Sequence, residues 1–391
     1  MQDRIKLAPK EPCTGCAACA SICPKGCIKM VEDREGFLQP KIDTKACVRC
    51  HQCEKTCPIL NPQTIPSDFE TKAYAAINKD EEVRMRSSSG GMFHALAKWT
   101  IEQGGVVFGA RFDEKWEVIH DYTETTEGIE PFMRSKYVQS RVGDTFKQAK
   151  QFLEQGRWVL FSGTPCQVGG LQAYLKKKYE RLVLVDFICH GVPSPKVWNN
   201  YLSETFKGDR ILKFNFRDKS EGWNSNQCIV STTTATTTHC AKLLENPFFR
   251  GFRNEIYLRH CCYRCLFRNY HRGSNFTIAD YWGVENTCPE MYDNKGTSIV
   301  FVHNSTSDQM LNGLENLRIL TQRKNDAING NRGMDIENPI YSPLKRFVFF
   351  STFKLSGFIS SMVITDAMTN IEKMSFKYKR KIKNKLAKLS K

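Results

Sequence analysis

Two runs decide the N-terminal fold: Cys13-Thr-Gly-Cys16-Ala-Ala-Cys19-Ala-Ser-Ile-Cys23-Pro24 and Cys47-Val-Arg-Cys50-His-Gln-Cys53-Glu-Lys-Thr-Cys57-Pro58. Both read C-x2-C-x2-C-x3-C-P and stand 34 residues apart throughout, so they form an internal repeat. Three cysteines two residues apart on a tight loop wrap one face of a [4Fe–4S] cube, and the fourth ligand arrives from the other repeat. One cluster is therefore expected on Cys13, Cys16, Cys19 and Cys57, the other on Cys47, Cys50, Cys53 and Cys23. Zinc sites usually pair two C-x2-C elements a dozen or more residues apart; four cysteines in so short a run, twice, fit that poorly. Cys27 is surplus and reads as a buried thiol. His51 reads as a surface residue or a hydrogen-bond donor to sulfur, because the ligand set is complete without it.

The chain has 391 residues, 41% hydrophobic and 25% charged, a composition that suits two or three globular domains and argues against wholesale disorder. Seventeen cysteines would suit a secreted disulfide framework behind a signal peptide. Met1 to Lys10 is charged and has no apolar stretch of that kind, so a reducing cytoplasm is expected. The net charge is +16, but nine Lys/Arg and no acids lie between Lys373 and Lys391, which leaves only +7 for everything else. No basic patch interleaved with aromatics stands out, so a nucleic-acid partner is not expected. The tail puts Ile382, Leu386 and Leu389 at helical spacing among lysines. The plain reading is a solvated amphipathic end; the functional one is peripheral contact with anionic lipid at the inner membrane face, or with an acidic partner. Phe347–Thr365 is apolar but interrupted by Lys354, and reads as packed or interfacial helices rather than a clean span of about 20 apolar residues.

Organisation follows from texture. Residues 1–60 read as an α+β ferredoxin-like two-cluster module, 61–70 as a linker, 71–345 as a larger α/β domain, and 346–391 as a helical segment with the basic tail. Val106–Phe112, Trp158–Ser162, Arg181–Ile188 and Ser298–Val302 predict buried strands; Met92–Glu102 and Gln167–Lys178 predict helices. That alternation predicts a substantially parallel sheet. The Thr-rich Ser231–Thr238 predicts an exposed strand or hairpin. Cys166 and Cys189 then fall just past the carboxyl ends of neighbouring parallel strands, where open α/β sheets place their sites. With Cys262 and Cys265 they make four thiols, for which spacing alone leaves a third cluster, a zinc ion and unrelated buried thiols all open. Ser87–Gly91 precedes an apolar helix and reads either as an N-cap or as a phosphate-facing loop. Asp280-Tyr-Trp-Gly283 ends a strand-like run whose aromatics could pack the core or flank a planar cofactor.

Seven pieces occur in order: SSSGGMFHALA (87–97), SKYVQS (135–140), FSGTPCQVGGL (161–171), DFICHGVPSP (186–195), FRDKSEGW (216–223), CYRC (262–265) and TIADYWG (277–283). Together with the repeat they resemble the coenzyme F420 hydrogenase/dehydrogenase beta-subunit family, in the form with an N-terminal two-cluster ferredoxin module; plant hydroxymethyl-chlorophyll reductase belongs to the same family. The resemblance implies a flavin-binding α/β domain holding FAD and a further [4Fe–4S] cluster. It makes Cys166, Cys189, Cys262 and Cys265 the expected ligands of that cluster. It matches Ser89, Gly90 and Gly91 to the family's flavin-side motif, and Lys136 and Tyr137 to the segment that follows. Ala279 stands where relatives often have glycine. The expected function is an iron–sulfur flavoprotein oxidoreductase moving electrons between ferredoxin or a partner subunit and an organic acceptor, coenzyme F420 or another small molecule. The rival expectation is a non-catalytic electron-transfer subunit of a larger redox complex.

Overall fold

A computed structural model describes residues 5–62, 69–224, 228–268, 273–329 and 339–389, the residues beyond Asn370 by backbone alone. Most of the expected linker, 63–68, lies outside the described residues.

In the first cysteine run, Gly15 and Ala17 have left-handed φ of 69° and 62°, and in the second Arg49 and His51 have 55° and 56°. Left-handed residues turn the chain tightly enough for successive cysteines to face one side. Each run then enters a short helix, α1 (Ala18–Ser21) and α2 (Gln52–Thr56). Between them β1 (Ile28–Glu32) and β2 (Leu38–Ile42) form an antiparallel hairpin.

The larger region is built on an eight-stranded sheet. Its strands are β3 (Lys72–Asn78), β4 (Val106–Phe112), β5 (Val118–Thr123), β6 (Val159–Ser162), β7 (Leu182–Phe187), then β11 (Phe276–Asp280), β12 (Ser298–Val302) and β13 (Leu317–Gln322). The remaining strands, β8 (Ile211–Asp218), β9 (Ile229–Thr234) and β10 (Thr238–Lys242), form a separate antiparallel sheet. In the large sheet the order is β13-β3-β12-β11-β7-β6-β4-β5. Its centre, β4-β6-β7-β11, is parallel, and every other pairing is antiparallel. The sheet is therefore mixed, less parallel than the strand–helix alternation suggested. Val106–Phe112 and Ser298–Val302 match their predicted spans to the residue. The Thr-rich stretch is the β9–β10 hairpin, but β9 is largely buried.

Helices cover the sheet: α3 (Glu81–Arg86), α4 (Met92–Glu102), α5 (Thr145–Glu154), α6 (Pro165–Leu175), α7 (Pro195–Phe206), α8 (Pro247–Arg253), α9 (Val284–Thr287), α10 (Ser305–Asn312) and α11 (Lys324–Asn329). A long final helix, α12 (Pro343–Leu389), is broken at Gly357. One core packs α6 and strands β4 and β6 against Cys16, Ala17 and Ala18 of the first cysteine run. The first repeat thus shares the core of the large region. Around the second repeat lies a small apolar cluster of its own, built on Cys27, Ile28 and Cys53.

Candidate metal centre

The two repeats interlock. One hollow is lined by Cys13, Cys16, Cys19 and, from the other repeat, Cys57. The second is lined by Cys47, Cys50, Cys53 and, from the first repeat, Cys23. These are the two groupings expected from spacing. Cys27 also faces the second hollow, its sulfur 3.3 Å from that of Cys23. His51 lines the same hollow and pairs through Nδ1 with Glu54 at 2.5 Å.

A third grouping sits at the carboxyl edge of the parallel strands. The FSGTPCQVGGL run explains itself residue by residue. Thr164 caps α6 in a reciprocal capping box with Gln167. Pro165 fills the first helical position, where a missing N–H costs nothing. Cys166 is therefore held in the first turn, with the Thr164 hydroxyl 3.2 Å from its sulfur. Gln167 in turn donates to Ser140 Oγ at 2.9 Å. The helix starts two residues earlier than its apolar pattern indicated because the cap sits before the pattern begins. The two glycines of α6 allow close approach on both sides. A Cβ on Gly169 would lie 2.7 Å from the Phe267 ring, and one on Gly170 would lie 2.8 Å from Cys16 Cβ. One helix thus spaces the first hollow from the third grouping.

The thiols themselves say what they can hold. Burial pushes the Cys16 thiol up to about 11, with Cys13 and Cys57 adding to the rise. Burial raises Cys166 well above the ordinary thiol value, and Cys265, Cys189 and Cys262 all push it further. Cys189 is pushed up to about 12 by burial and then by Cys262 and Cys265. Cys262 falls to about 7 because the Cys261 thiol hydrogen-bonds to it. Crowded buried thiols ionise together only when a cationic centre neutralises them. Among the described residues no group of three or more His, Cys, Asp and Glu side chains converges tightly enough for a single metal ion. The donor chemistry of all three groupings fits a multi-iron centre.

Arg259, not singled out from sequence, joins the first and third groupings. It is 1% exposed. Its Nε donates to the Cys13 carbonyl at 2.8 Å, Nη1 to Gln139 Oε1 at 3.0 Å, and Nη2 to the Leu38 carbonyl at 2.9 Å. Nη2 is also 3.9 Å from the Cys13 sulfur, and the guanidinium favours ionised Cys262. Among the described residues no carboxylate pairs with it, so its counter-charge is sulfur.

The flavin-side residues are engaged by the protein. Ser89 Oγ donates to the Thr297 carbonyl at 2.7 Å, and Gly90 N–H to Ser298 Oγ at 3.0 Å. A Cβ on Gly90 would lie 2.2 Å from the Ala76 carbonyl oxygen, so only glycine fits there. Gly91 has φ of 89° and opens α4. Lys136 Nζ donates to the Pro131 and Met133 carbonyls at 2.7 and 2.6 Å, and burial lowers it to about 7. Tyr137 packs edge-on against Phe216 and Phe249. The two segments do meet, because Ser135 N–H donates to Ser88 Oγ at 2.8 Å.

Beside this loop lies a polar group that the motifs quoted but did not single out. Arg217 of FRDKSEGW is buried and pairs with Asp280 of TIADYWG at 2.8 Å. Its guanidinium lies 5.0 Å from the Trp282 ring, which stacks on Trp223 at 4.9 Å. Nε and Nη2 of Arg217 make no hydrogen bond, although the weakly accepting Cys228 thiol lies against the group. Lys219 Nζ ties the site to the loop through the Ser89 carbonyl at 3.0 Å. Asn78 Nδ2, near Gly91, is buried and also has no hydrogen-bond partner. Unsatisfied buried donors beside stacked indoles fit a planar group carrying acceptor atoms. Sequence gave Arg217 no signal beyond its motif, because its burial comes from strands far apart in the chain.

Residues 156–327 match the family model for the C terminus of the coenzyme F420 hydrogenase/dehydrogenase beta subunit, and residues 12–60 match the 4Fe-4S dicluster domain. The chain belongs to the coenzyme F420 hydrogenase/dehydrogenase beta-subunit family, with a ferredoxin module. Curated relatives cover the module only. A ferredoxin-like protein in the nif region of Trichormus variabilis is 31% identical over 71 residues, 17% of this chain and 61% of that one. An uncharacterized polyferredoxin-like protein of Methanocaldococcus jannaschii is 33% identical over 64 residues, 14% of this chain and 38% of that one. The chain therefore spans less than two thirds of either relative. A chain of the F420-reducing [NiFe] hydrogenase complex from Methanosarcina barkeri, solved as a xenon derivative, is similar at 16% identity with a TM-score of 0.45, covering 64% of this chain and 81% of that one. This family member is an iron–sulfur electron-transfer protein related to the F420 hydrogenase beta subunit.

Proposed function

We propose that the chain is an iron–sulfur flavoprotein oxidoreductase that passes electrons between a ferredoxin or partner subunit and an organic acceptor. Its proposed ligand sets are Cys13, Cys16, Cys19 and Cys57; Cys47, Cys50, Cys53 and Cys23; and Cys166, Cys189, Cys262 and Cys265. FAD is proposed beside Ser89, Gly90, Gly91, Lys136 and Tyr137, with Arg217 supplying donors. Bound clusters carry single electrons, and flavin links one-electron to two-electron chemistry. The division into a module (1–60), linker (61–70), α/β domain (71–345) and tail segment (346–391) belongs to the same proposal, as does a cytoplasmic setting.

The observation that carries it is a gradient of burial across the three groupings. Cys50 of the second hollow is exposed, Cys13 and Cys16 are buried against α6, and Cys166 opens that same helix. Such an order suits a chain of carriers with its entry at the surface. Lys25, Lys45, Arg49 and Lys55 are exposed around the entry, which suits an acidic carrier, since complementary charge raises the rate of encounter. Coenzyme F420 is one candidate acceptor, on family grounds, and another small molecule is the alternative.

One observation favours the rival reading of a non-catalytic electron-transfer subunit: Ser89, Gly90 and Lys136 spend their polar groups on the protein itself. Arg217→Lys separates the two. It keeps the charge opposite Asp280 but loses the planar fork of donors. For the flavoprotein, flavin retention is expected to weaken about tenfold or more with iron content unchanged, read as both contents after gel filtration. Wild-type protein with full iron and no flavin, even after incubation with excess FAD, would favour the carrier.

A further inference from the structure

The final helix wears its apolar residues on the wrong side for a water-facing element. In its second segment the buried positions include Ser361, Thr365 and Thr369, whose hydroxyls donate to the carbonyls four residues back. The exposed positions include Ile359, Val363 and Ile364. In the first segment Leu344 and Phe347 face outward, Phe347 70% exposed, and Leu355 is 85% exposed just before the break. A surface helix normally buries its apolar stripe and shows polar residues to water. Immediately after this face come nine Lys/Arg without an acid, between Lys373 and Lys391.

The inward face is firmly tied. Phe349, Phe353, Phe358 and Met362 belong to the main core. Arg346 donates to the Leu258 carbonyl at 2.6 Å and pairs with Glu35 of the module's hairpin. Gly357, with φ of 78°, turns the chain so that the Glu204 carboxylate accepts from Phe358 N–H at 2.7 Å and Ile359 N–H at 2.9 Å. Arg250 pairs with Asp366 at 2.8 Å. The helix between Pro343 and Asn370 is long and apolar enough to cross a membrane. A spanning helix would have to leave these partners and carry Lys354 and the Gly357 break into hydrocarbon.

We propose that the outward face of α12 between Leu344 and Ile364, with the basic tail that follows, lies on an anionic bilayer surface. The apolar side chains enter the headgroup boundary, the tail cations attract anionic lipid, and the oxidoreductase stays whole on the water side. Neutral lipid lacks the charge, and a span would contradict the packed inner face. The surface acts by position: it concentrates the protein where acceptors with lipid tails reside.

Flotation of the full-length protein with phosphatidylcholine vesicles, with and without phosphatidylglycerol, tests this. Binding is expected to the anionic vesicles alone, and to fall steeply between about 0.05 and 0.5 M salt as the Debye length shrinks toward contact distance. Leu355→Asn with Val363→Asn, both exposed and so tolerated by the fold, is expected to weaken binding about tenfold or more. Lys379→Gln with Arg380→Gln and Lys381→Gln is expected to do the same. No flotation with anionic vesicles overturns the proposal. So does flotation unchanged by the apolar pair, or a dimer in light scattering that the apolar pair dissolves, which would make a second copy the occupant.

Discussion

Arg259→Met is expected to destabilise the protein by about 3–5 kcal/mol, because it strands several buried acceptors at once. The carbonyls of Cys13 and Leu38 and the Gln139 side chain all lose their donor. Each unsatisfied buried acceptor costs about 1–3 kcal/mol, and methionine fills the volume without replacing any of them. Gln139 also donates to the Thr14 carbonyl at 2.9 Å, so the first cysteine loop loses support from two sides. Anaerobic urea unfolding should show the fall in midpoint, and iron should be lost first from the hollow that Cys13 lines. Arg259→Lys is expected to recover only part of the loss, since an ammonium cannot reach three acceptors in one plane. A midpoint within experimental error of wild type for Arg259→Met would show that the guanidinium is not what fastens the first repeat to the larger sheet.

Gly170→Ala is expected to reverse the usual sign of its kind. In an ordinary helix interior the change stabilises by about 1 kcal/mol. Here the added carbon lies 2.8 Å from Cys16 Cβ and 3.0 Å from Cys16 Sγ. Cys16 cannot give way, because it shares a core with Val168, Leu171 and Phe146. Overpacking of that kind costs about 1–3 kcal/mol. Gly170→Leu, with the same helix propensity class, is expected to lift α6 off the loop and to release about four irons per chain. Urea midpoints and iron content for the two variants check this. Stabilisation by Gly170→Ala would mean that the helix does not press on the first hollow.

Much of this arrangement was legible in the chain. The grouping of eight cysteines into two sets followed from spacing alone, because two-residue steps close one loop and a three-residue step throws the last cysteine across to the other. Cys166 and Cys189 could be placed together because right-handed parallel crossovers leave little choice of where strand ends fall. Strand direction elsewhere was not legible: nothing in the apolar runs of β3 or β12 distinguishes an antiparallel neighbour from a parallel one. Lys136 read as an anion ligand, and the structure spends its ammonium on two carbonyls of the preceding turn. Arg217 and Arg259 carried no periodic signal, since each is buried by segments more than a hundred residues away in part. The role of α12 was half visible. The tail's charge could be counted, but the inverted face needed the packing of Thr365 and Val363 on opposite sides.

Iron and flavin per chain in anaerobically purified protein test the proposed chain of carriers most directly. Three cubes and one flavin predict about twelve irons and one FAD, with Cys166→Ser losing about four of the irons while the ferredoxin module keeps the rest. About eight irons, unchanged in Cys166→Ser, and no flavin would contradict it, and would leave a two-cluster carrier attached to a sheet that holds no further redox group.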